Sequence, residues 1–141
     1  MLSLRMFAVA AYGLVGLGLM AQGYRYLVAL RYMHYHAQVV HEGWAELKKS
    51  EQRLILGLLR GFGAGMLCVG FTTVFVALGP FREGAYFAAF FLAILSIAYT
   101  LMLVRVTRFA LLPGAAPITV TSIMFGLAIA ASLAGVLEWV I

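Results

Sequence analysis

Four apolar stretches without a charged residue dominate this chain: 6–24, 61–79, 84–104 and 115–137. Each holds 19 to 23 residues. A bilayer hydrocarbon core takes roughly 20 residues of helix to cross. Backbone N–H and C=O groups in lipid must be satisfied within the segment or by a closed sheet. Four strands are too few for a lipid-spanning barrel, which starts at about eight. Helices are therefore the expected solution. Only 11% of the residues are charged and 65% are hydrophobic, against roughly 25% charged in an ordinary soluble domain. A soluble fold of 141 residues could not cover that much apolar surface.

The first stretch must be weighed against a cleaved signal peptide, since Arg5 precedes it and "AQG" follows at 21–23. Its apolar run is longer than the roughly 7–15 residues of a signal h-region, so a retained transmembrane helix is expected. Asp and Asn are absent and only three prolines occur, which leaves little material for long polar loops. Pro80 between Gly79 and Gly84 marks a tight turn. The expected fold is all-α: a single-domain four-helix transmembrane bundle with helices over about 4–30, 54–79, 84–107 and 116–139. A short cytoplasmic amphipathic segment lies between the first two.

Orientation follows from lysine and arginine. Arg25, Arg31, Lys48, Lys49, Arg53 and Arg60 flank the first connection, and Arg105 and Arg108 the third. Only Arg5 and Arg82 belong to the other side. The positive-inside rule then puts both basic connections in the cytoplasm and both termini outside. Tyr24, Tyr26, Tyr32 and Tyr35 near one boundary and Trp139 near the other match interfacial belts. The net charge of +5 belongs to this topology, so nucleic acid is not an expected partner. The lipid bilayer is.

Small residues recur every four positions. Gly57, Gly61 and Gly65 form one such row, Ser122, Gly126, Ala130 and Ala134 a second, and Ala85, Ala89 and Ala93 a third. Such rows let helix backbones approach closely. Packing within the bundle is the first reading, and a face for a second copy or a larger membrane complex is the other. The first helix shows no comparable row.

The polar stretch "RYMHYHAQVVHEGW" (31–44) holds all three histidines. In a helix, His34, Gln38 and His41 share a face with Glu42 beside them, while His36 points elsewhere. In a strand, His34 and His36 share a side. Neither geometry gathers the three imidazoles, and His41–Glu42 lacks the second histidine of a zincin helix. A site built on His34, His41, Glu42 and Glu46 is the metal alternative; an interfacial segment with Trp44, Val39, Val40 and Leu47 on its apolar side is the expected one. No metal and no other cofactor is expected. Cys68, the single cysteine, cannot form an internal disulfide or a Cys-based zinc site. Arg60 borders the second stretch, either as an anchor at the lipid boundary or as a contact for a ligand. Glu138 reads as an exposed end. No phosphate loop and no nucleophile–base pair stands out, and no histidine lies inside an apolar stretch to ligate haem.

"YHAQVVHEGWAEL", "ILGLLRGFGAGML" and "PFREGAYFA" together resemble a pattern in small bacterial membrane proteins with four helices and no assigned activity. The matching positions are Tyr35, His36, Trp44, Leu59, Arg60, Gly61, Pro80, Arg82 and Gly84, and the likeness covers about 35–87. It implies a bacterial inner-membrane protein and draws attention to His36 and Arg60. The expected function is non-enzymatic: an accessory subunit or scaffold, alone or as an oligomer, with His36, Trp44 and Arg60 as ligand or partner contacts. The alternatives are a lipid- or small-molecule-binding or transport protein working as a dimer, and a histidine-based membrane metalloprotein.

Overall fold

The computed structural model describes residues 3–33, 36, 43–110 and 116–140. Four long helices run through them: α1 (Leu4–Leu27), α2 (Lys49–Val76), α3 (Tyr86–Ala110) and α4 (Ala116–Val140). All four are long and apolar enough to cross a membrane, and there is no strand among the described residues. The protein is thus an all-α multi-pass bundle.

Local chemistry sets the helix ends. The Ser3 hydroxyl accepts the Met6 N–H at 3.2 Å and caps α1. α2 starts at Lys49, five residues before the expected 54, because the Glu51 carboxylate accepts the Lys48 N–H at 2.9 Å. That bond is the return half of a capping box and satisfies an orphan donor. α2 leaves the membrane through a wide π turn, Ala77–Phe81, which contains Pro80. The turn then closes on Gly84, whose φ of 92° is a left-handed conformation that needs glycine. The Gly84 N–H donates to the Phe81 carbonyl at 3.0 Å.

The helices alternate in direction. α1 lies against both α2 and α4, α4 also packs on α3, and α2 and α3 share few contacts beyond their connecting turn. The tightest approach is between α1 and α2, at glycines seven residues apart. A Cβ on Gly23 would lie 2.6 Å from the Gly63 carbonyl oxygen, and one on Gly70 2.6 Å from that of Gly16. Seven residues is about two helical turns, so the two glycine pairs fall on one seam. The row expected to do this does not. A Cβ on Gly57, Gly61 or Gly126 would meet nothing within 4 Å, and one on Gly65 only the Tyr99 hydroxyl at 3.9 Å. Gly57, Gly61, Gly65 and Gly126 are exposed, and Ser122 and Ala130 are half-buried. The inward face of α4 carries Thr121, Met124, Ala128 and Ala131, joined by Ala134 alone of the expected row.

Two apolar clusters fill the interior. One, around Ala8, Tyr12, Phe81, Leu92 and Ala131, lies toward the chain termini. The other, around Leu19, Tyr26, Met66, Leu103 and Met124, lies toward the opposite end. Polar side chains inside are satisfied locally. Thr73, Ser96, Thr100, Thr121 and Ser132 each donate to the carbonyl four residues back, as lipid demands of any buried hydroxyl. Tyr12 and Ser132 join hydroxyls at 2.9 Å across α1 and α4. Leu14, Leu17, Phe71, Phe75, Phe87, Phe90, Ile94, Ile123 and Leu133 point outward, a surface suited to acyl chains.

Candidate functional site

The alternation of helices brings the end of α1, the start of α2, the end of α3 and the start of α4 to one end of the bundle. Arg25, Arg60, Arg105 and Arg108 therefore share that end. The Gly16–Gly70 and Gly23–Gly63 contacts fix the register of α1 on α2. Extended along the pair, this register puts Arg60 level with Tyr26 and Arg25 level with Gly61. Arg60 is exposed and stands beside the last turn of α1. The segment 49–58 runs past α1 by roughly 15 Å, at about 1.5 Å per residue, and carries Lys49 and Arg53 with it.

Below this basic end the helices part around a cavity of about 420 Å³. Gly18 and Ala21 on α1, Met66 on α2, Leu103 on α3 and Val120 and Met124 on α4 supply apolar wall. Gly18 matters because it has no side chain to fill the space; a Cβ there would meet only the end of Met124, at 3.1 Å. The polar lining is Gln22 and Arg25 on α1, and Thr107 and Thr121. The two threonines face each other at 3.2 Å. Each also lies 2.8 Å from a carbonyl of its own helix, Leu103 and Pro117 respectively. Arg25 is exposed in the last turn of α1, which makes it the rim. The volume lies within the roughly 300–1,000 Å³ typical of small-molecule sites.

The connection between α1 and α2 packs onto the same end. The Tyr26 ring lies 6.2 Å from the His36 imidazole and 6.1 Å from the Phe62 ring, and both Tyr26 and Phe62 line the cavity. Imidazole Nδ1 of His36 accepts the Met33 N–H at 3.2 Å, which leaves any proton of the neutral ring on Nε2. Burial of the ring pushes its pKa below the ordinary 6.5. Trp44 meets the buried Tyr32 edge-on at 5.2 Å, so it braces the connection from inside as well as facing outward. The Gln52 amide donates to the Trp44 carbonyl at 2.7 Å and the Leu47 carbonyl at 3.1 Å. Glu46 accepts the Gly43 N–H at 2.9 Å and is thereby committed to its own turn rather than to His36.

Of the expected contacts, His36 and Trp44 thus brace one connection and Arg60 borders it. His34, Val39, Val40, His41 and Glu42 lie outside the described residues, and so does the metal alternative built on them. Among the described residues no three His, Cys, Asp or Glu side chains gather in a metal-holding group. Cys68 is free and exposed on α2. Sequence reasoning missed the cavity, with Gly18, Gln22 and Arg25, because a void between helices has no signature along one chain. It also missed the glycine seam, although the spacing of Gly16 to Gly23 and of Gly63 to Gly70 was there to be read. Glu138 is not a bare end: its carboxylate accepts the Arg5 N–H at 3.1 Å and lies 3.8 Å from the Arg5 guanidinium. No protein-family model, curated protein or solved structure matches this chain.

Proposed function

We propose that this chain is a non-enzymatic protein of the bacterial inner membrane that holds an amphiphile in the cleft at its basic end. That end faces the cytoplasm and the termini face outward. The carrying observation is the cleft, apolar along its walls and charged only at its rim by Arg25. Such a lining suits a molecule with a hydrocarbon part and a polar head better than an ion or a sugar, because unpaired polar groups are strongly disfavoured in an apolar site. Eight of ten lysines and arginines at one end support the orientation.

The test is lipid analysis of protein purified in mild detergent. A near-stoichiometric amphiphile should accompany the wild-type chain, and Gly18→Leu, which fills the cleft, should lose it while keeping its helical content. A chain that retains no amphiphile but co-purifies with another membrane protein would instead be an accessory subunit or scaffold. For orientation, a Cys68→Ala background should allow labelling from outside at Glu83→Cys and spare Lys49→Cys. The reverse pattern would invert the topology.

A further inference from the structure

Resting on the cleft reading above, we propose that the amphiphile is an anionic phospholipid, with its phosphate on Arg25 and one acyl chain in the cleft. Three observations converge on it. The first is level. Arg25 sits in the last turn of α1, where the helix leaves the apolar layer. The cavity runs from that turn inward to Gly18 and Met124. A lipid of the same leaflet already has its head and chain at these depths, so it enters without being lifted out of the bilayer. A free anion would find Arg25 but would have no use for the apolar walls.

The second is charge. Among the described residues, Arg25 makes no ion pair. The described acids at this end, Glu46 and Glu51, hold backbone N–H groups of their own turns. At the opposite end Arg5 is matched by Glu138. Arg25 thus stands at the rim of the cleft with no carboxylate partner among the described residues. A guanidinium forms bidentate, charge-assisted hydrogen bonds to phosphate oxygens. Arg60, Arg105 and Arg108 at the same end add a field that favours anionic over zwitterionic heads.

The third is the lining between head and chain. Thr107 and Thr121 face each other across the cavity at 3.2 Å, each also close to a carbonyl of its own helix. Their hydroxyls are thereby largely occupied within the protein. Arg25 then supplies the charged contact for the head, and the wall beneath it is formed by Gly18, Ala21, Val120 and Met124.

The experiment presents the full chain, in mixed micelles, with equimolar phosphatidylglycerol and phosphatidylcholine and counts bound lipid by native mass spectrometry. Wild type should retain phosphatidylglycerol on the order of tenfold over phosphatidylcholine: both heads carry the phosphate that Arg25 binds, and the choline cation, held beside a cationic end, sets the difference. Arg25→Gln should keep a bound lipid but lose the preference, and Arg25→Lys should restore part of it. Arg25 is exposed, so these variants leave the packing intact. Arg31→Gln and Arg108→Gln, which each remove one charge from the wider field but no contact to the head, should keep most of the preference. Retention of both lipids equally by wild type overturns the anionic head while leaving the cleft reading standing; no retained lipid removes both. Equal loss in Arg108→Gln assigns the preference to general surface charge and overturns the role of Arg25. Displacement of phosphatidylglycerol by inorganic phosphate, with equal phosphate binding in Gly18→Leu, makes the ligand a free anion and overturns the lipid.

Discussion

Gly63→Ala sets two effects of known size against each other. Replacing a helical glycine by alanine removes unfolded-state freedom and favours the helix by about 0.5–1 kcal/mol. At Gly61, where a Cβ meets nothing within 4 Å, that is the whole effect. At Gly63 the new Cβ lies 2.7 Å from the Gly23 carbonyl oxygen, 2.9 Å from the Tyr26 Cβ and 3.1 Å from the Leu27 nitrogen. Ordinary contact begins at 3.4 Å, and backbone atoms cannot rotate aside. α1 and α2 must therefore separate. A gap of about 0.5–1 Å forfeits a quarter to a half of the dispersion energy of each contacting pair, and overpacking of this kind costs about 1–3 kcal/mol. The helix gain is common to both, so the two single variants should differ by the overpacking cost, about 1–3 kcal/mol, with Gly61→Ala the more stable. Adding Gly23→Ala to Gly63→Ala should cost less than its own single effect, because one separation relieves both clashes. Titration from mild detergent into dodecyl sulfate, followed by helical circular dichroism, measures the differences. Equal stability of Gly61→Ala and Gly63→Ala would refute the seam.

Three further outcomes follow from the polar contacts. Ser132→Ala should destabilise the bundle by about 1–3 kcal/mol by orphaning the buried Tyr12 hydroxyl; Tyr12→Phe added to it should recover most of the loss, and a double-mutant cycle in detergent reads the coupling. Glu138→Gln should cost about 0.3–1 kcal/mol, the range for a charge at a helix N-terminus or a surface pair. Arg5→Ala should cost less, because the Arg5 N–H bond to Glu138 survives it. His36 has its pKa lowered on folding, so its contribution is complete above about pH 6.5 and is lost as pH falls through the lower folded value. Protonation at Nδ1 also removes the acceptor for the Met33 N–H. Proteolysis between residues 31 and 48 should accelerate from pH 7.5 to 5 in wild type and change much less in His36→Gln.

Number, type and rough span of the helices were legible because uncharged runs of bilayer length have few physical solutions. The turn at 79–84 was legible from Pro80 and its glycines. Helix faces were not. Spacing alone cannot tell a small residue turned to a neighbour from one turned to lipid, since both environments are apolar and the usual inside–outside contrast vanishes. Gly61 and Gly63 show this: they are two positions apart, and only one touches α1. The start of α2 was misplaced for a different reason, since Glu51 acts as a cap while looking like a loop charge. Trp44 stood out as an aromatic residue near a lipid boundary and His36 through the resemblance over 35–87, whereas Arg25 was read only as topology.

The Tyr12–Ser132 bond also sets an order in time. The partners are 120 residues apart, so at about 5–20 residues per second Ser132 is made roughly 6–24 s after Tyr12. During that interval the glycine seam can already hold α1 to α2, but the Tyr12 phenol lacks its partner on α4. Arg5 waits longer still for Glu138. Of the four helices, the one made first is thus the last to be finished, and α4 is the clasp that closes the bundle.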